Sequence, residues 1–208
     1  MDDLDNPIWS ALTGPHAHLS TGRGRARRYR PEISILGGLD ALTETALADL
    51  RDILPSGAEV ALFTTAPVAP IPGLVVRMAT MLDQMVARVP RPVDGVWRIA
   101  RLGDADIPEM MRLVQLTEPG PFSARTIDLG TYLGIREGDT LAAMAGERLR
   151  LDGYTEVSAV CTHPGHRRKG LAAVLVSAVM NGILERGQTP LLHVLPHNAG
   201  AIAAYERL

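Results

Sequence analysis

The stretch from residue 156 to residue 195 constrains the fold of this chain more than any other segment. Residues 156–162 predict a strand, a loop with glycines and basic residues follows, and the apolar spacing of residues 171–186 predicts a helix that ends at Gly187. Residues 191–195 predict a returning strand. This order is a βαβ unit, whose two strands are expected to be parallel and whose crossover is expected to be right-handed.

The loop inside this unit has the chemistry of a phosphate-binding loop. It reads His163-Pro-Gly-His-Arg-Arg-Lys-Gly-Leu-Ala172 and leads directly into the helix. The N-terminus of a helix offers unpaired N–H groups and the positive end of the helix dipole, and both favour a bound phosphate. Gly170 and Ala172 let a ligand approach the backbone, and three basic residues add charge. The spacing matches neither a P-loop nor a dinucleotide fingerprint.

Two motifs in this order resemble the GCN5-related N-acetyltransferase (GNAT) superfamily. Arg167-x-x-Gly170-x-Ala172 is similar to its acetyl-CoA motif, and Asn198 followed by Ala-Ile-Ala-Ala-Tyr205-Glu-Arg-Leu is similar to its C-terminal motif. Residues 156–164 look most like the FR47-like branch. The likeness runs from about Trp97 to the end of the chain.

The resemblance implies an α/β fold in which a mixed, mainly antiparallel sheet is flanked by helices and acetyl-CoA enters between the two strands of the βαβ unit. Backbone groups of the strand at Val160, Cys161 and Thr162 would meet the pantetheine arm. The remaining residues that the resemblance assigns to the cosubstrate are Arg167, Arg168, Lys169, Gly170, Leu171, Ala172 and Asn198.

The same resemblance implies two catalytic residues. Tyr205 matches the tyrosine that protonates the departing CoA thiolate, and Glu156 stands where some relatives carry the general base. His193, on the returning strand, is the second candidate for the base, although a hydrogen-bonded core histidine would fit the same pattern. The Cys161 thiol is expected to be a buried apolar group without a chemical role, since direct transfer needs no thiolate.

The implied activity is direct transfer of an acetyl or short acyl group from acetyl-CoA to an amine, in a ternary complex, with a small-molecule or peptide amine as acceptor. The alternative is a CoA-binding sensor or partner-binding module that has lost catalysis. Release of free thiol from acetyl-CoA in the presence of amines separates the two hypotheses.

The sequence predicts two domains, residues 1–95 and residues 96–208, divided at a proline pair that Asp94-Gly95 follows. The first is expected to be a degenerate GNAT-like half, and the second the catalytic domain without the C-terminal strands that relatives carry. Helical spacing predicts a helix over residues 75–86, and a capping box of Asp106 and Glu109 predicts the start of another. Strands are expected at residues 60–64, 97–102, 131–136 and 140–149.

Composition limits the other classes of function. With 46% hydrophobic residues and a net charge of −2, the chain is expected to be globular and to have no general affinity for nucleic acid. A single cysteine and no apolar run of membrane-spanning length favour a cytoplasmic protein without disulfides, zinc cluster or membrane span. The arginine-rich residues 22–30 predict a solvated strand edge, with docking of an anionic partner as the alternative.

Overall fold

The computed structural model describes residues 3–87 and 97–208, and these form two compact units. The first comprises the residues up to Thr80 together with Leu149–Asp152, and the second comprises Met81–Arg148 and Gly153–Leu208. The predicted boundary at residues 90–95 lies outside the described residues. The first unit ends at Thr80, and the segment after it pairs with the sheet of the second unit. The two predicted domains stay a prediction.

The first unit is a four-stranded sheet with two helices. Its elements are α1 (Pro7–Thr13), β1 (Ser20–Arg23), β2 (Ala26–Tyr29), β3 (Leu36–Leu39), α2 (Glu44–Ile53) and β4 (Ala61–Leu62). The strand order is β1-β2-β3-β4, antiparallel except for the parallel pair β3 and β4 that α2 connects. The arginine-rich segment forms the β1–β2 hairpin, where the Arg27 guanidinium lies 5.8 Å from the centre of the Trp9 ring.

The second unit holds a six-stranded sheet of order β5-β10-β9-β8-β7-β6. Its elements are β5 (Asp83–Val86), β6 (Ile99–Arg101), α3 (Ile107–Thr117), β7 (Tyr132–Glu137), β8 (Thr140–Leu151), β9 (Tyr154–Thr162), α4 (Leu171–Glu185), β10 (Thr189–Val194) and α5 (Ala199–Tyr205). The pair β9 and β10 is parallel and α4 connects it, as the βαβ pattern predicts. A mixed, mainly antiparallel sheet flanked by helices is therefore confirmed.

Helices cover both faces of this second sheet. On one face Leu175, Val179 and Ile183 of α4 pack with Ala143 and Val157 of the sheet, and we call this the α4-side cluster. On the other face lies the α3-side cluster, formed by Leu102, Met110, Leu113, Tyr132, Leu141, Met144, Ala159 and Cys161. In the described part of the chain no helix is both long and apolar enough to cross a bilayer.

The prediction of a helix over residues 75–86 is wrong. The chain has no helix there, and its end forms β5, which pairs antiparallel with β10 from Leu191↔Val86 to Val194↔Asp83. Of the apolar residues that suggested a helix, Val75 and Met78 remain 86% and 81% accessible. Backbone pairing along the edge of β10 outweighs a helical pattern that has no face to bury against.

The position of β5 also changes the expectation that the catalytic domain lacks an edge strand. The edge of β10 is paired with a strand that precedes the domain in sequence. The capping box is also different, since the Asp106 side chain accepts from Gly103 N–H while Glu109 pairs with Arg136. The Arg136 guanidinium joins both carboxylates and ties the start of α3 to β7.

The two units share a sheet topology. In the second unit β7, β8 and β9 follow one another in the sheet, and α4 leads to the parallel strand β10. In the first unit β1, β2 and β3 follow one another, and α2 leads to the parallel strand β4. This shared order supports the hypothesis of a degenerate GNAT-like half, which stays a prediction.

A substitution at Gly146 of β8 tests the packing of the second sheet. It lies opposite Tyr132 of β7, and a Cβ at this position would come within 2.3 Å of the Tyr132 ring. We expect Gly146→Ala to lower the free energy of unfolding by about 1–3 kcal/mol through overpacking. In the matched control Gly182→Ala, inside α4, the nearest atom would lie 3.8 Å away. That control should raise the free energy of unfolding by about 0.5–1 kcal/mol, because alanine has a higher helix propensity than glycine. Urea unfolding measures both, and equal stabilities would contradict this packing.

Candidate active site

The strands β9 and β10 part at the centre of the second sheet. Their pairing runs from Thr189↔Tyr154 to Leu191↔Glu156, and in the described residues it ends there although both strands continue. Parallel strands that separate at their carboxyl ends leave backbone groups open between them, and ligands of α/β sheets bind at such openings. The opening lies where the sequence predicts it.

A bulge in β9 lies just beyond the last pair. Ala159 has a φ of 51°, which a residue with a Cβ adopts rarely. The bulge also shifts the side-chain alternation, since Val157 packs in the α4-side cluster whereas Ala159 and Cys161 pack in the α3-side cluster. Strained backbone of this kind is concentrated at functional sites.

The predicted phosphate loop enters α4 without a side-chain cap. Gly170 is the N-cap residue with φ 79°, and among the residues described no side chain caps the first N–H groups of α4. Leu171 is buried in the α4-side cluster, so its backbone rather than its side chain is available to a ligand. Arg168 is exposed and has no ion pair among the described residues, while the Arg167 Nε lies 3.5 Å from Thr162 O. The loop can therefore offer both backbone donors and positive charge to a phosphate.

Lys169 differs from the two arginines because it already has an anionic partner. Its Nζ lies 2.8 and 2.9 Å from the two carboxylate oxygens of Glu137, at the end of β7. The His166 Nδ1 lies 3.2 Å from the same carboxylate. Hydrogen bonding from Lys169 lowers the pKa of Glu137. In this conformation Lys169 ties the loop to the β7–β8 hairpin, and its assignment to the phosphate stays a prediction.

Glu156 is fully buried within an ion pair. Its Oε2 accepts from Arg148 Nε at 2.8 Å, and its Oε1 accepts from Arg148 Nη2 at 2.6 Å. Burial alone would raise the pKa of this carboxyl, but the charge and hydrogen bonds of Arg148, with a smaller effect of His193, lower it to about 2. A carboxylate with so low a pKa and no exposed surface is a poor direct base, which argues against the base role that the resemblance implies for Glu156.

His193 lies next to that carboxylate. Its Nδ1 is 2.7 Å from Glu156 Oε1, and its Nε2 is 3.0 Å from Gln84 Nε2 in β5. A carboxylate at Nδ1 favours the tautomer that keeps the proton there and leaves a lone pair on Nε2, to which the Gln84 amide can donate. The arrangement therefore favours His193 over Glu156 as a proton acceptor.

Tyr205 is the last residue of α5 and lies on the other face. Its ring packs against the α4-side cluster and lines a cavity of about 210 Å³ together with Val157, Val176, Met180 and Leu191. Burial raises the pKa of its phenol, so the hydroxyl stays protonated at neutral pH. That state is the one a proton donor requires.

Two further predicted residues already have local contacts. The Asn198 side chain caps α5 by accepting from Ala201 N–H at 3.2 Å, so its carbonyl oxygen serves the helix. The Cys161 thiol is buried, lies 3.5 Å from Ala159 O and has a pKa raised by burial to about 11. Neither contact tests the roles that the resemblance implies. The described residues contain no group of three His, Cys, Asp or Glu that could hold a metal ion.

Arg148 and Gln84 are two residues of the site that were not predicted from the sequence. Arg148 lies only eight residues before Glu156, across the Asp152-Gly153 turn, so a search for opposite charges on neighbouring strands of a hairpin could have found it. Gln84 is 109 residues from His193 and lies in a segment that reads as a helix. No local signal connects the two residues.

Glu156→Gln tests the buried ion pair. The substitution leaves Arg148, which is 9% exposed, without its anion, and we expect a loss of about 3–5 kcal/mol in the free energy of unfolding at pH 7. Because the folded-state pKa is depressed from 4.5 to about 2, the stabilisation is present above pH 4.5 and lost as the pH falls toward 2. The difference between wild type and variant should therefore shrink below pH 4.5 in urea titrations.

Glu185→Gln, at an exposed position of α4, is the matched control and should change stability by less than about 0.5 kcal/mol. A Glu156→Gln variant as stable as this control, or a difference that does not depend on pH in acid, would contradict the ion pair.

Comparisons with known proteins agree with this architecture. Residues 132–208 match the family described as FR47-like protein. A GNAT-family protein of Novosphingobium aromaticivorans DSM 12444 is 39% identical, with a TM-score of 0.92 over 100% of this chain and 92% of its own. A GCN5-related N-acetyltransferase from Kribbella flavida has 18% identity and a TM-score of 0.60 over 97% of this chain and 89% of its own, a likeness of fold alone.

The search of curated proteins gave no significant match. The identity to the Novosphingobium protein extends over both units, and the FR47-like match covers the strands and helices that build the opening. Fold, motifs and full-length similarity thus lead to one assignment, that this chain belongs to the GNAT family of acetyltransferases.

Proposed function

We propose that this protein transfers an acetyl or short acyl group from acyl-CoA to an amine. The observation that carries the proposal is the opening between β9 and β10, which begins beside the bulge at Ala159 and ends at the uncapped N-terminus of α4. Unpaired strand edges suit an extended amide-containing chain, and a helix N-terminus suits a diphosphate. The donor set therefore fits coenzyme A.

Different residues of this chain would bind the different parts of coenzyme A. Backbone groups of Val160 and Thr162 would bond the pantetheine arm along β9. The first-turn N–H groups of α4, with Arg167 and Arg168, would hold the diphosphate. Acyl-CoA supplies an activated thioester whose carbonyl carbon accepts the amine nitrogen while the bond to sulfur breaks.

Removal of the proton from the amine is assigned to His193. Its Nε2 would take the proton, while Glu156, held by Arg148, keeps Nδ1–H oriented and stabilises the resulting imidazolium. Glu156 thus acts as a positioning residue. The Gln84 amide, which lies 3.0 Å from Nε2, would have to give up this contact when the amine binds.

Protonation of the leaving thiolate is assigned to Tyr205. Burial raises the pKa of its phenol and so keeps the hydroxyl protonated, and the residue lines the cavity together with Val157. One proton leaves the amine for His193 and one leaves Tyr205 for sulfur, so exchange with solvent restores both groups. The acceptor is a small-molecule or peptide amine, and the single cysteine suits the reducing cytoplasm, where we place the activity.

The first unit is proposed to be a degenerate GNAT-like half that does not bind coenzyme A. The helix α2, which corresponds to α4, is capped by the Thr43 hydroxyl, which accepts from Ala46 N–H. Its first turn carries Glu44, and Asp40 precedes it. A capped and acidic helix start repels phosphate, in contrast to the uncapped and basic start of α4.

The phosphate loop is tested by the double substitution Arg167→Gln/Arg168→Gln. We expect the Kd for CoA, measured by calorimetry, to rise by about tenfold or more, since charge-assisted bonds to phosphate are lost. Arg101→Gln, at an exposed position of β6 on the far edge of the sheet, is the control and should leave the Kd unchanged. An unchanged Kd in the double variant would remove the loop from the binding site.

The catalytic assignments are tested by Tyr205→Phe and His193→Gln. Each should lower kcat for thiol release from acetyl-CoA by at least about 100-fold with a responsive amine, because a proton-transfer group is lost. The Kd for CoA should change by no more than about twofold in either variant. That change is well below the tenfold rise expected for the double variant of the phosphate loop. Wild-type protein that binds CoA but releases no thiol with any amine would instead favour the CoA-binding sensor or partner-binding module.

A further inference from the structure

Tyr132 carries a buried hydroxyl that makes no hydrogen bond with the described residues. The residue is 1% exposed, and its OH has no partner among the protein groups that the structure describes. Buried hydroxyls are nearly always paired, because an unpaired one loses its hydrogen bonds to water without replacement. An exception of this kind calls for a physical reason.

The packing around the ring keeps the hydroxyl where it is. Tyr132 lies opposite Gly146, where the missing side chain makes room for the ring, and Phe122 meets it edge to face with ring centres 5.8 Å apart. A phenylalanine would satisfy all of these apolar contacts. The shape of the core therefore explains the ring and leaves the hydroxyl unexplained.

The position of the ring connects it to the candidate active site. Tyr132 packs in the α3-side cluster with Ala159, the bulge residue, and with Cys161. The charges of Arg148, Glu156 and Glu147 all act on its phenol. Phe122, in the loop that follows α3, packs against the same cluster. Tyr132 thus packs on the α3 side of the sheet, whereas Tyr205 packs against the α4-side cluster.

We propose that the Tyr132 hydroxyl is a binding group for the acceptor and donates a hydrogen bond to a neutral oxygen of the acceptor molecule. This inference rests on the proposed function, since it names the class of acceptor for the same site. Arg148 is paired with Glu156, and Glu147 is paired with Arg186, so the surrounding charges are already compensated. A neutral carbonyl oxygen suits this environment better than a carboxylate, which would bring an uncompensated charge.

The first test is stability, which does not depend on any activity. Tyr132→Phe removes only an unpaired hydroxyl, so the Tm of the free protein should equal or exceed that of wild type. Tyr29→Phe is the matched control, because Tyr29 is equally buried and its OH lies 2.8 Å from His16 Nδ1. That control should lower the Tm. A Tm of Tyr132→Phe reduced as far as that of Tyr29→Phe would show a structural role and overturn the proposal.

The second test is calorimetric binding of two amines to the protein saturated with CoA, which requires no turnover. The probes are glycinamide, which carries a neutral carbonyl oxygen, and propylamine, which lacks it. Tyr132→Phe should raise the Kd of glycinamide about tenfold relative to that of propylamine, the loss of one buried hydrogen bond.

Equal changes for the two amines, or binding of neither to wild type, overturn the proposal. Discrimination by wild-type protein that releases no thiol leaves the Tyr132 assignment standing while the proposed transferase activity fails. The two hypotheses are therefore separable in one set of experiments.

Discussion

The candidate site depends on one feature of the second sheet, the end of pairing between β9 and β10 after Glu156 and Leu191. If the two strands stayed paired, their backbone groups would be satisfied by each other and no ligand could enter. Their separation leaves β9 with an open edge, and the bulge at Ala159 turns the chain so that neighbouring side chains reach both faces of the sheet. The helix α4 then begins at the mouth of the opening, so its dipole and N–H groups face the same space.

The chemistry beside this opening depends on a buried pair of charged residues, Glu156 and Arg148. Glu156 has no exposed surface and would be neutral if it were alone, but Arg148 holds it ionised with two hydrogen bonds. The same carboxylate lies 2.7 Å from His193 Nδ1, and this contact is the basis of the proposal that His193 is the base and Glu156 its positioning residue. The Tyr132 hydroxyl presents the opposite case, a buried polar group for which the protein provides no partner among its described residues. The first arrangement stabilises the fold, and the second is one that a ligand could complete.

The edge strand β5 connects the surroundings of the site to a distant part of the sequence. It pairs with β10 and brings Gln84 to His193, although the two residues are separated by 109 positions. Val75, Val76, Met78 and Met81, which precede it in the chain, remain exposed. A helical pattern in this segment therefore had no packing surface, and the unpaired edge of β10 decided its structure.

The features of this protein that could be predicted from the amino-acid sequence are the local ones. The strand at residues 156–162, the basic loop with Gly170 and the helix that follows are all continuous in the chain, so period, turn chemistry and motif were sufficient to predict them and the GNAT fold. The low pKa of Glu156 could not be predicted from the sequence, because it comes from Arg148 on the neighbouring strand β8. Only the tertiary structure decided the edge strand and the unpaired Tyr132 hydroxyl. The pKa of Glu156, the edge strand and the surroundings of the Tyr132 hydroxyl all depend on contacts between residues that are distant in the sequence. The periodicity of a single segment does not reveal such contacts.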